Sequence, residues 1–359
     1  VADAEGDSAA SYLQSAFDFV TEVVLEGLVE DAAPDRFRLL VQPSPDYGAT
    51  IIPNSDRFEI VVNDCVVSEM MRFCQAYADL SSPLLEDHIS ELGSLIGDPE
   101  RVLGVSFQAG LAFLLLHEVG HVAGGHVRYL TRDTAEFRDR PADGSEGADG
   151  DFRRMAELEA DGFAMALLFE FQDELVSSLG CPHQTSSEMH AVYGRALLLG
   201  VFAAISLLEG MFARERITDT TYPYPAIRLL NLCSAYLRVV QPDIARWHGD
   251  DYRKAAPDDA TVQRISGHFR KSVAPALFLL HDALTGMGVA SELHGVEDDP
   301  KTVQDFMTDA LLLLGGGTPV HSIDGQALSD LTEKRPRFLC KLAPFRELDL
   351  WHAVGGETG

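Results

Sequence analysis

His117, Glu118 and His121 stand in the order H-E-x-x-H within the run LAFLLLHEVGHVAGGHV, residues 111–127. Residues four apart share one face of an α-helix. His117 and His121 can therefore each aim a ring nitrogen at one metal ion. Glu118, one residue round, can reach a water held by that ion. Two imidazoles that bind and a carboxylate that takes the proton of water are the parts of zinc-assisted hydrolysis. The six residues before His117 are apolar, so the helix should be buried. Two histidines and a glutamate on a buried helix need a purpose.

A catalytic zinc takes three protein ligands and leaves one position for water. Two residues compete for the third place. His126 follows His117 by nine residues, which on a continuous helix is half a turn away. The pattern H-E-x-x-H-x-x-G-x-x-H would put a third histidine at position 127, where this chain has Val127. His126 therefore fits a supporting role better than a ligand role. The other contender lies in MAELEADGFAM, residues 155–165. Glu157 and Asp161 are four apart and share a stripe with Ala160, Ala164 and Leu168. Buried carboxylates need a positive partner or hydrogen bonds. A metal ion for Glu157 and a histidine N–H for Asp161 would supply both. The small residues beside them allow a close approach to the motif helix.

H-E-V-G-H at 117–121 followed by E-L-E-A-D at 157–161 resembles the gluzincin zinc metallopeptidases. The detailed form is similar to the CAAX prenyl-protease and heat-shock membrane-protease group, and to the soluble Lit-type phage-exclusion peptidases. The resemblance spans residues of about 105–230. It implies a zincin-like core, Glu157 as third ligand and Asp161 steadying the first histidine. Those families often carry His-Pro and then Arg beyond the second helix. This chain has Tyr222-Pro223-Tyr224-Pro225-Ala226-Ile227-Arg228 in the matching place, without the histidine. Tyr222, Tyr224 or Arg228 is then the candidate to stabilise the oxyanion, against a proline-rich turn capping a helix.

Composition limits the other possibilities. Acidic residues number 56 and basic ones 28, a net charge near −28, which argues against nucleic acid or an anionic membrane as the main partner. Cys65, Cys74, Cys181, Cys233 and Cys340 are odd in number and form no C-x-x-C, as expected of reduced thiols in a cytoplasmic protein. The acidic, polar first residues do not read as a signal peptide. The longest apolar run, Ala196 to Leu208, falls short of the ~18–20 residues that span a bilayer. No membrane span is expected, and the partner is a protein or peptide substrate.

The elements that must position these residues follow from periodicity. Ser11 can cap a helix reaching about Glu30, with apolar residues at 13, 16, 17, 20, 24 and 28. Runs at 37–42, 49–53 and 57–63, separated by turn residues, read as a small antiparallel sheet. Helices follow near 65–80 and 84–96. The motif helix should run from Val105 to Gly124-Gly125. Residues 131–151, charged and Gly-rich, read as a loop, either mobile or a removable cover over the cleft. Further helices are expected at 152–175, 186–214, 223–240, 259–286 and 301–314; the last forty-five residues give no clear order. The expected fold is α+β, mostly α, with three regions at 1–104, 105–240 and 241–359. The expected function is zinc-dependent peptide hydrolysis with Glu118 as general base. Two alternatives stand beside it. One is a zinc-stabilised sensor or scaffold that cleaves nothing. The other is a di-iron site, which would need a second E-x-x-H that this chain lacks.

Overall fold

A computed structural model describes residues 2–28, 36–54, 57–79, 99–132, 148–181, 187–214, 225–240, 259–288, 335–336, 338–347 and 350. The expected helices at 84–96 and 301–314, and the central part of the 131–151 loop, lie outside the described residues.

Helix α1 (Ala2–Asp18) continues through a π-helical turn, Phe19–Leu25, into Glu26–Leu28. It begins well before Ser11, which is an interior residue and no cap. Four of the nine residues in the ADAEGDSAA segment are alanine, which favours helix there. The apolar stripe is as the period requires: Leu13, Ala16, Phe17, Val20 and Val24 are buried.

Strands β1 (Phe37–Gln42), β2 (Ala49–Asn54) and β3 (Arg57–Asn63) form one sheet in the order β1-β3-β2. The sheet is mixed, not antiparallel. β2 pairs antiparallel with β3, but β1 lies parallel to β3 on its other edge. The reason is in residues 43–48. Gln42 and Ala49 flank the end of β3, opposite Asn63 and Val62. The segment must bridge two strand spacings, about 10 Å, so it arches over the end of β3 rather than folding into a hairpin. Asn63 and Asp64 staple the arch: Asn63 donates from its backbone to the Gly48 carbonyl (3.1 Å) and from its side chain to the Asp46 carbonyl (2.8 Å). Asp64 accepts from the Ser44 amide at 3.1 Å. This arch carries Tyr47 and Gly48 to the candidate site.

Helix α2 (Cys65–Ala78) leads on to the central helix, α3 (Pro99–Ala123). α3 starts six residues earlier than the apolar pattern alone suggests, with proline at its first position, where no amide is needed. Every side chain from Val105 to Gly120 is buried. A short helix α4 (His126–Arg132) succeeds the Gly124-Gly125 turn. Then come α5 (Ala148–Glu170), α6 (Gln172–Ser178), α7 (Ser187–Arg214) and α8 (Pro225–Val240). Helix α9 (Asp259–His268) passes through a π turn, Phe269–Val273, into α10 (Ala274–Gly286). A last short helical segment ends in a 3-10 turn at Ala343–Phe345.

The packing is centred on α3. Its most extensive contacts are with α7 and α5, and α5 packs in turn on α8. Leu103–Ala123 of α3 is long and apolar enough to cross a membrane, an exception to the expectation drawn from apolar runs. Its surface is instead enclosed by protein, as a core helix requires. The approach to α5 rests on small residues: a Cβ on Gly120 would lie 3.1 Å from the Ala160 Cα. One apolar core joins residues from Leu13 to Leu350, and a second, smaller cluster gathers Phe152, Met155, Ala156, Phe338 and Leu342.

Candidate metal centre

The two helices place His117, His121 and Glu157 face to face. His117 Nε2 and His121 Nε2 are 3.1 Å apart. Glu157 lies 3.3 Å from the first and 3.6 Å from the second through its two carboxylate oxygens. An ion held tetrahedrally by bonds of about 2.0–2.1 Å needs ligand atoms about 3.3–3.4 Å apart. The three separations surround that value, and the donor set of two imidazoles and a carboxylate suits a divalent transition metal. The residues present therefore fit a metal ion.

Each ligand candidate is held from behind. His117 presents Nδ1 to Asp161 Oδ1 at 2.9 Å. Asp161 is fully buried and is gripped by Arg228, whose Nε and Nη2 donate to its two oxygens at 2.9 and 2.7 Å. The same guanidinium comes within 3.6 Å of Glu157 Oε2. Burial opposes the charge on Asp161, but Arg228 and His117 outweigh it and hold the carboxyl below its usual range. Burial likewise opposes the charge on Glu157, and His117, His121 and Arg228 pull it the other way, to a lowered pKa. His121 presents Nδ1 to His126 Nδ1 at 2.9 Å, and His126 Nε2 meets Glu159 Oε2 at 2.8 Å. Burial is the largest influence on His121 and pushes its pKa down to about 3, so the ring is neutral and has a lone pair to give.

Glu118 is buried beside this group, and burial raises its pKa to about 7, with Glu157 adding to the rise and His117 and Arg228 opposing it. A carboxyl in that range can exchange a proton near neutrality.

A cavity of about 330 Å³ opens onto Glu118 and the three ligand candidates. One wall is the arch and β2: Tyr47, Gly48, Ala49, Thr50, Ile51 and Pro53. The other is apolar: Leu114 of α3, Val127, and Ile205 and Leu208 of α7. Among the described residues β2 is an outer strand of the sheet, and Ala49, Thr50, Ile51 and Pro53 bring it to the cavity.

Residues 87–242 match the family model Peptidase U49. The match covers less than half of the chain, includes both helices that carry the ligand candidates and Arg228, and supports a peptidase. No curated protein and no solved structure matches the chain.

Within the peptidase-matching region, the structure brings together His117, Glu118, His121, Glu157, Asp161, His126 and Arg228. Tyr222 and Tyr224 lie outside the described residues. Arg228 is engaged in an ion pair with an acidic residue, Asp161. Three contributors carried no usable sequence signal. Glu159 reads as a solvated acid, and Arg346 is 187 residues from its partner Glu159. The β2 wall is recognisable only once the arch has turned Tyr47 towards α3.

Proposed function

We propose that this chain is a zinc-dependent metallopeptidase, with His117, His121 and Glu157 as ligands. The observation that carries the reading is the cluster of two imidazole nitrogens 3.1 Å apart with the two Glu157 oxygens at 3.3 and 3.6 Å from them, beside a buried glutamate. The H-E-x-x-H and E-x-x-x-D spacing, the resemblance to gluzincins and the peptidase match point the same way. When bound, zinc polarises the scissile carbonyl and makes water acidic enough to react near neutral pH.

The chain's own residues supply the rest. Glu118 accepts the proton of the attacking water and returns it to the leaving amine. The pKa near 7 lets it do both, and a dication beside it favours the accepting form. Asp161, fixed by Arg228, orients His117. The outer edge of β2 can receive an extended peptide by main-chain hydrogen bonds, which suits a polypeptide better than a small molecule. The apolar wall of Leu114, Ile205 and Leu208 favours an apolar substrate side chain. Arg228 is engaged with Asp161, so the proposed oxyanion donor is Tyr222 or Tyr224, a few residues ahead of it. Loss of that phenol by Tyr→Phe should cost about 100- to 1,000-fold in kcat with zinc retained.

The decisive experiment compares wild type with Glu118→Gln, by metal analysis and by a proteome-wide cleavage screen. The variant should keep about one zinc per chain and lose cleavage by several orders of magnitude, because the amide cannot take the proton. Removal of zinc by a chelator should abolish cleavage, and added zinc should restore it. Equal cleavage by Glu118→Gln removes the general base. Zinc binding without any cleavage by wild type replaces the peptidase with a zinc-stabilised sensor or scaffold.

A further inference from the structure

The segment at 338–347 is remote in sequence from the metal-bearing helices, yet it closes around the turn behind His121. Its anchor is Glu347, buried between Arg36 and Arg128, with an ion pair to each. Its backbone reaches the helix itself: the Glu347 amide donates to the Ala123 carbonyl at 3.1 Å, satisfying one of the free carbonyls at the end of α3. Phe338 faces the His126 ring with centroids 6.0 Å apart, and Phe345 meets Tyr129 edge-on at 5.6 Å.

The Gly124-Gly125 turn makes these approaches possible. A Cβ on Gly124 would lie 2.7 Å from His126 Nε2. Gly125 has φ +79°, and a Cβ there would meet the Phe345 carbonyl carbon at 2.6 Å. The turn is thus built to let one ring and one backbone segment come close.

What they build is a chain of hydrogen bonds with one direction. Arg346 Nη2 donates to Glu159 Oε1 at 3.2 Å. Glu159 Oε2 meets His126 Nε2 at 2.8 Å, and a carboxylate can only accept, so His126 carries its proton on Nε2. With that single proton on the ring, His126 Nδ1 is the acceptor for His121 Nδ1 at 2.9 Å. His121 is left with its lone pair on Nε2, the atom that faces His117 and Glu157. In this arrangement each proton points to the neighbour before it, and the series begins at a guanidinium that is always charged.

We propose that the 338–347 segment is a working part of the metal centre: Arg346, Glu159 and His126 are positioning residues that fix the Nδ1–H tautomer and the ring orientation of His121. The proposal rests on the zinc-site reading above and adds to it a contribution from outside the peptidase-matching region. Partners behind a ligating histidine typically change metal affinity by about 10- to 100-fold when lost.

The test uses the 359-residue chain and zinc itself. Zinc affinity is measured by chelator competition, the site is inspected by the visible spectrum of the cobalt form, and thermal unfolding reports stability. His126→Leu cannot accept the His121 proton and should weaken zinc about 10- to 100-fold and shift the cobalt bands. His126→Gln, with an amide oxygen to accept it, should recover most of the affinity. Glu159→Gln and Arg346→Met should fall between wild type and His126→Leu. A purely structural segment would lower the unfolding temperature of all four and leave the zinc affinity and cobalt spectrum of the folded proteins unchanged, which would overturn the proposal. Should the variants fold poorly, nitrogen NMR of histidine-labelled wild type decides. A proton on Nδ1 of His121 and on Nε2 of His126 supports the series, and the reverse pattern overturns it. If wild type binds no zinc, the function proposed above falls and this inference with it; if it binds zinc and His126→Leu binds equally well, only this inference falls.

Discussion

His117 and His121 face the same point but are supported in different ways. Behind His117 stand Asp161 and Arg228, both fully buried and joined by two hydrogen bonds. Behind His121 stand His126, Glu159 and Arg346, a longer series whose carboxylate keeps some solvent exposure, at 9%. The first support is short, charged and built from α5 and α8. The second is long, passes through the His126 ring and depends on the 338–347 segment. A short support has little freedom and a large penalty for losing one member. A long one shares its strain among several bonds.

The sharpest way to break this contrast is to remove the two arginines in turn. Arg228→Met leaves the Asp161 carboxylate buried without its cation. Removing one member of a buried pair costs about 3–5 kcal/mol. Arg346→Met leaves Glu159 with His126 and with solvent, and should cost clearly less. Urea unfolding of the metal-free proteins measures both. Equal losses would show that the two supports are energetically alike and that burial at Asp161 has been compensated elsewhere.

This asymmetry also decided what could be read from the sequence. The His117 support lies within one helical period: Glu157 and Asp161 are four apart, so one helix face is enough to pair them. Arg228 was visible as a basic residue at a helix start, although its partner was not. The His121 support has no period to detect. His126 leaves the helical face only because Gly124-Gly125 turns the chain, and Glu159 and Arg346 meet through tertiary packing. The sheet shows the same limit. Its strands are legible from β-branched residues and turns, to within a residue at each end. The parallel pairing of β1 with β3 is not, because it depends on where an arch of six residues can reach.

Metal affinity offers a second, smaller contrast. Asp161→Asn keeps an oxygen facing His117 Nδ1 but loses the charge that Arg228 and the imidazole both use. It should weaken zinc towards the upper end of about 10- to 100-fold. Glu159→Gln acts on His121 through an intervening ring and should stay near the lower end. Chelator competition on both proteins checks the order. A larger loss in Glu159→Gln would make the His121 support the controlling one.

Glycines separate the two regions by space rather than charge. Gly120→Ala would press its methyl on Ala160, where α3 crosses α5 near Asp161, at 3.1 Å from the Cα and 3.2 Å from the carbonyl oxygen. Backbone cannot rotate aside, so overpacking of about 1–3 kcal/mol is expected. Gly125→Ala meets the Phe345 backbone and also the cost of φ +79° with a side chain, about 1–2 kcal/mol. The consequences for the metal differ. Gly120→Ala should spread α3 from α5 and disturb Glu157, whereas Gly125→Ala should displace 338–347 and mimic Arg346→Met in zinc affinity.

Gly162→Ala should have the smallest effect and opposite sign. Gly162 comes directly after Asp161, in the interior of α5, but it lies on the outer side of the helix. A Cβ there would meet nothing within 4 Å. Alanine in a helix interior is favoured over glycine by about 0.8–1.0 kcal/mol, so a modest gain in stability is expected, with zinc affinity and cleavage unchanged. The comparison with Gly120 is direct, because the two glycines sit on the partner helices of one crossing. If Gly162→Ala stabilises while Gly120→Ala destabilises, tight packing is confined to the side of α5 that carries Glu157 and Asp161. If Gly162→Ala weakens zinc, the helix must bend at that residue to bring Asp161 onto His117, and the regular spacing of E-x-x-x-D would no longer account for the geometry of the site.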